Sequence, residues 1–125
     1  LNFRQQEENY IMENIIYLEL RRRGFDVDVG VVEKSTRNEE GKVVRKQLEV
    51  DFVANKGYKR FYVQSAFSYA EPEKIAQEEA SLLSIDDSFQ RVIVVGGNFG
   101  MKYMNNNGFL VVGLLDFLLD ESMVN

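Results

Sequence analysis

Apolar residues recur at helical spacing near the start of the chain. Ile11, Ile15 and Leu18 fall at i, i+4 and i+7, and the pattern predicts one amphipathic helix over residues 4–23. Asn2 is placed to cap its first turn. Arg21-Arg22-Arg23 in the last turn suits the negative end of the helix dipole, and Gly24 is a ready C′ residue. The period then changes from helical to alternating. Phe25 to Val32 reads as a strand with one solvated face, followed by a charged hairpin tip over 33–45 containing Asn38-Glu39-Glu40-Gly41. A second strand is expected over about 46–55 and a third over about 60–68, with Gly57 in the turn between them.

Pro72 marks the first turn of a second helix running to about Leu83, with Ile75, Ala76, Leu82 and Leu83 as its buried set. Val92-Ile93-Val94-Val95 is a continuous apolar run, as expected of a strand covered on both faces. Gly96-Gly97-Asn98-Phe99-Gly100 breaks it. Residues 101–107 read as loop or a short helical piece, Phe109–Val112 as a last strand, and Leu114–Leu119 as a closing helix. The first three strands are joined by short loops and so are expected to be antiparallel. The helix of residues 72–83 is a crossover, so the strand after it should join in parallel. The expected fold class is α/β, a mixed sheet flanked by helices in a single domain of residues 1–125.

Composition narrows the chemistry. The 125 residues contain neither cysteine nor histidine. That excludes thiolate and imidazole zinc sites and histidine-assisted nucleophiles, and any metal would be held by carboxylates and carbonyls. The lack of cysteine fits a reducing, cytoplasmic setting. No run of about 18 apolar residues marks a membrane span, so no membrane partner is expected. The formal charge of −5 is uneven: residues 1–70 carry 12 basic and 11 acidic side chains, residues 71–125 carry 3 and 9. Arg21, Arg22 and Arg23 form one basic group and Lys56, Lys59 and Arg60 another. Both are candidates for weak nucleic-acid contact, though solvated charge at helix ends and turns is the favoured reading. Tyr58, Phe61, Tyr62, Phe67 and Tyr69 are read as core packing rather than a stacking surface. Gly96-Gly97 lacks a following Gly-Lys-Ser/Thr, so it is a turn and not a phosphate loop.

The candidate chemistry lies in the first three elements. On simple alternation, Leu48, Val50, Phe52 and Ala54 share one face of strand two, and Glu49, Asp51 and Val53 the other. Tyr62, Gln64, Ala66 and Ser68 share a face of strand three. Adjacent strands can bring Asp51 beside Gln64. Glu13 shares a side of the first helix with Ile16, Tyr17 and Leu20, where a carboxylate needs a partner or a shifted pKa.

Glu13 to Leu20 followed by Arg21-Arg22-Arg23-Gly24, then Glu49-Val50-Asp51-Phe52-Val53, resembles the first-helix and central-strand motifs of the PD-(D/E)XK nuclease superfamily. The order αβββαβ is also similar to that restriction-endonuclease-like core. With Leu114-Leu115-Asp116-Phe117-Leu118-Leu119, the strings further resemble an uncharacterised domain C-terminal to the AAA-type ATPase module of many prokaryotic proteins. The resemblance runs from about residue 8 to 120. It implies that Asp51 is the metal aspartate and Glu13 the supporting helix acid, with Gln64 at the strand-three acid and Ala66 at the lysine.

An amide offers a metal a carbonyl oxygen but no charge, and alanine offers nothing. Loss of one electrostatic stabiliser of this kind costs about 2.7–4 kcal/mol, or roughly 10²–10³ in rate. Lys46, Lys56 and Lys59 flank the region, but five residues of extended strand span about 17 Å. The expectation is a degenerate, non-catalytic nuclease-fold module with no resident cofactor, whose partner is an upstream ATPase module. The chain starts with Leu, which points to a fragment of a longer one. The alternatives are a magnesium-dependent nuclease with an atypical site, and a nucleic-acid binding module that does not cleave.

Overall fold

A computed structural model describes residues 3–67, 72–97 and 100–125. Helix α1 spans Phe3–Arg22. Strands β1 (Asp26–Arg37), β2 (Val43–Lys56) and β3 (Lys59–Ala66) follow. Helix α2 (Pro72–Leu83) leads to β4 (Gln90–Val95), β5 (Lys102–Met104), β6 (Leu110–Gly113) and α3 (Leu114–Leu119). The six strands form one sheet in the order β1-β2-β3-β4-β6-β5. The first three pair antiparallel, and β4 joins β3 in parallel after the α2 crossover. β6 continues the parallel run and β5 closes the far edge antiparallel. This is a mixed α/β sheet flanked by helices, in the αβββαβ order that the sequence pattern predicts.

The sheet is covered on both faces. Met12, Ile16 and Leu20 of α1 and Phe117 of α3 pack with Phe52, Ala54, Val63, Val92, Val94 and Val112 on one side. Leu82 of α2 packs with Val50, Val53, Tyr62, Ala66, Ile93 and Val95 on the other. The buried stripe of α1 is therefore Met12, Ile16 and Leu20. The expected Ile11 and Leu18 point outward and are exposed. Both sets satisfy helical spacing, and tertiary packing chose between them. The helix ends as expected at Gly24, which has φ +93°. The amide of Phe25 donates to the Leu20 carbonyl and that of Gly24 to the Arg21 carbonyl, a Schellman pattern. Asn2, Ser68 and Tyr69 lie outside the described residues.

Other boundaries move. β1 and β2 pair out to Arg37 and Val43, so the hairpin tip is only residues 38–42. Residues 102–104, expected as loop or helix, form the edge strand β5. On α2 the inward positions are Ile75, Glu78, Glu79 and Leu82, while Ala76 and Leu83 are exposed. Buried Glu79 accepts hydrogen bonds from the side-chain amides of Asn105 and Asn107, which ties α2 to the β5–β6 turn. Among the aromatics, Tyr62 is buried and Phe61 packs against the core, but Tyr58 stands exposed.

The largest departure from simple alternation lies in β2. Val29 pairs with Phe52 and Gly30 with Val50, so Asp51 has no partner on β1. This is a β-bulge, and it reverses the faces on either side of it. Val50 enters the α2 core, whereas Phe52, two residues on, enters the α1 core. The expected shared face of Leu48, Val50, Phe52 and Ala54 does not form. Gly30 makes the bulge possible. It holds φ +37°, and a Cβ there would lie 2.1 Å from the Val50 carbonyl oxygen. Gly30→Ala should accordingly destabilise the protein by at least about 2 kcal/mol in denaturant unfolding. A change under about 0.5 kcal/mol would mean that the bulge is absent.

Candidate functional site

The bulge sits where β2 and β3 part. Their ladder runs from Lys56↔Lys59 to Phe52↔Val63 and stops there, while β3 continues beside β4 to Ala66. Parting strands leave main-chain groups without partners, and buried ones must find substitutes. Two side chains supply them. The Asp51 carboxylate accepts a hydrogen bond from the Ser65 amide at 2.8 Å. In return the Asp51 amide donates to Gln64 Oε1 at 3.1 Å. The other end of the Gln64 amide donates to Glu78 Oε2 on α2 at 3.2 Å. The sequence-predicted neighbours Asp51 and Gln64 are thus brought together, each bonded to the other's strand.

Glu13 reaches the same place from α1. It lines a groove with Asp51 and Glu49, between α1 and the root of the β1–β2 ribbon. Burial pushes the Asp51 carboxyl up to about 6; the Ser65 amide partly offsets this, and the negative charges of Glu13 and Glu78 add to it. Glu13 is also raised above the usual carboxylate range, first by burial and then by Glu78. Glu78 is a residue of the candidate site that the sequence does not single out. Its signal was present: a helix anchored inward at Ile75 and Leu82 turns positions 78 and 79 inward as well.

No cation balances these acids from the expected positions. Ala66 is buried in the α2 core. Lys56 Nζ donates to the Arg23 carbonyl at 2.8 Å and lies over the Phe25 ring. Lys59 Nζ donates to the Asn125 carbonyl at 2.9 Å. Arg60 bonds Asn55 Oδ1 at 2.7 Å and stacks over Phe89. Lys46 lies exposed on the distal ribbon, registered opposite Lys34. The arginine triplet is engaged too. Arg22 forms a bidentate pair with Glu19 and also meets Glu121. The Arg23 side chain is only 3% exposed; it pairs with Glu19, caps the Val124 and Phe117 carbonyls and lies over the Phe117 ring. Arg21 reaches the Phe25 carbonyl and Asp26. All six basic side chains proposed for nucleic-acid contact make bonds within the chain.

The donors suit magnesium in kind, since carboxylate and amide oxygens are hard ligands. Their placement does not: among the described residues no three acids come together as a metal-binding group. One Asp51 oxygen is held by Ser65 and the Gln64 carbonyl by Asp51. The arrangement as built fixes a strand fork and concentrates negative charge beside it.

No protein-family model matches the chain. It is 32% identical over 108 residues to an uncharacterized protein of Haemophilus influenzae, a match covering 86% of this chain and 22% of that protein. The chain thus spans under a quarter of that relative's length. It is also similar to a crystal structure of a protein of unknown function, AF1548, with a TM-score of 0.57 and 17% identity. That match covers 91% of this chain and 66% of the other, and at such identity the likeness is one of fold.

A folded-state carboxyl raised from 3.8 to about 6 binds its proton more tightly than the unfolded chain does. Its contribution to stability is therefore present below the unfolded value and is lost as pH rises through about 6. Asp51→Asn keeps an acceptor for Ser65 and removes the charge. Its stability relative to the parent should rise between about pH 4 and pH 6.5, by up to about 3 kcal/mol, and then level off. Urea unfolding of both proteins across this range checks it; a constant difference would contradict the raised carboxyl.

Proposed function

We propose that this chain is a PD-(D/E)XK nuclease-like module without cleavage chemistry, serving as an accessory and interaction module of a longer AAA-type ATPase protein in the cytoplasm. The observation that carries it is the use of both side chains to satisfy main-chain amides across the β2–β3 fork, Asp51 taking that of Ser65 and Gln64 that of Asp51, with buried Ala66 two residues after Gln64. A hydrolytic site needs a group to steady the attacking water and the developing charge. Among the described residues the acids gather without one. The membership in that superfamily and the ATPase connection rest on the sequence resemblance. The element order supports the first, and the greater length of the Haemophilus relative leaves room for the second. Among the described residues no helix is long and apolar enough to cross a membrane.

One observation favours a second reading, a magnesium-dependent nuclease with an atypical site. Glu78 acts electrostatically on both Glu13 and Asp51, so α2 brings a third acid near the site, although among the described residues the three do not close into a metal-binding group. Nucleic-acid binding without cleavage finds less support, because its candidate cations are engaged within the chain.

The full-length protein, incubated with Mg²⁺ or Mn²⁺ and single- or double-stranded DNA or RNA, should show no turnover above that of Asp51→Ala. Turnover that Asp51→Ala abolishes would sink the first reading and establish the second.

A further inference from the structure

The groove between α1 and the ribbon root has a volume of about 490 Å³, within the usual range for ligand-binding clefts. It shares Tyr10 and Glu13 with a second hollow of about 320 Å³ that continues along α1 to Gln6 and Asn9. Two features set its chemistry. Its walls are aromatic: Tyr17 and Phe52 pack at a centroid distance of 6.2 Å, and Tyr10 stands at the rim, 73% exposed. Its polar lining holds Glu13, Glu49 and Asp51 beside Asn14, and among the described residues neither hollow is lined by lysine or arginine.

We propose that this groove receives an arginine side chain from a partner polypeptide. The inference rests on the non-cleaving reading of the same site and names its partner chemistry. A phosphodiester would meet three carboxylates and, among the described residues, no cation, and would be repelled. A guanidinium is complementary on both counts. It pairs with carboxylates through its planar fork and stacks on aromatic faces, and it sheds water more readily than an ammonium. The acids are also predisposed to it. Beyond the burial that raises both carboxyls, the charges of Glu13 and Glu78 act on Asp51 and that of Glu78 on Glu13, so an entering cation relieves an existing repulsion. The apolar walls bury the aliphatic stem. Tyrosine and arginine are among the residues most enriched at the energetic centres of protein interfaces.

The test uses the full-length protein and the peptide acetyl-Gly-Gly-Arg-Gly-Gly-amide, with its neutral citrulline counterpart, in titration calorimetry. The arginine peptide should bind at least tenfold more tightly than the citrulline peptide. Glu13→Gln with Asp51→Asn should weaken it at least tenfold. Glu39→Gln with Glu40→Gln, which removes the same charge from the hairpin tip, should leave it within twofold. Tyr10→Ala, at an exposed position, should weaken it severalfold, and it carries the test if the double variant does not fold. Absence of binding at millimolar peptide, an equal effect of the hairpin-tip variants, or indifference to Tyr10→Ala would each overturn the proposal. A parallel cleavage assay separates the two levels. No cleavage and no peptide binding removes only this inference, whereas Mg²⁺ that displaces the peptide and starts cleavage removes the non-cleaving reading with it.

Discussion

β2 parts from β3 after Phe52, and the way the chain satisfies the main-chain groups exposed there organises much of the rest. The Asp51 carboxylate takes the Ser65 amide and the Gln64 side chain takes the Asp51 amide. A bulge delivers Asp51 to this position, and Gly30 makes the bulge possible by allowing close approach to the Val50 carbonyl. The bulge also lets one strand contribute to both cores, with Val50 under α2 and Phe52 under α1. A buried main-chain donor left without a partner costs about 1–3 kcal/mol, so these two polar side chains are structural whatever else they do.

The same fork collects charge. Asp51 draws the influence of Glu13 from one helix and of Glu78 from the other. Lysines that the sequence places nearby turn elsewhere, Lys56 to the Arg23 carbonyl and Lys59 to the Asn125 carbonyl. The outcome is a pocket whose acids are partly desolvated and whose walls are aromatic. Such an environment favours protonation or an incoming positive group. It does not favour a bare phosphate.

Much of the architecture could be read from the residues. Gly24 after three arginines marks a helix end, Pro72 a helix start, and the apolar run at 92–95 a doubly covered strand, all for local reasons. What could not be read depends on contacts distant in sequence. The alternation of β2 assumes an unbroken register, and nothing local to Asp51 announces that Gly30, 21 positions earlier, shifts it. On α1, two neighbouring stripes, Ile11/Ile15/Leu18 and Met12/Ile16/Leu20, are both apolar, and only the sheet decides that the second goes inside. Glu78 escaped notice because an acid on an inward helix position runs against hydrophobic patterning, which is also why it matters. Arg23 itself pairs with Glu19, one turn away on the same helix.

Arg23 has a further consequence for how the chain folds. Its nearly inaccessible guanidinium holds the carbonyls of Phe117 and Val124, 94 and 101 residues away in sequence. The β1–β2 ribbon, by contrast, closes over a tip of five residues. Loop-closure entropy places the ribbon early and the Arg23 clasp late on the route to the native state. The last helix cannot then peel away without breaking the Phe117 and Val124 carbonyl bonds and the cation–π contact with the Phe117 ring. The two extremities of the described chain therefore form one cooperative unit, opening together rather than fraying separately.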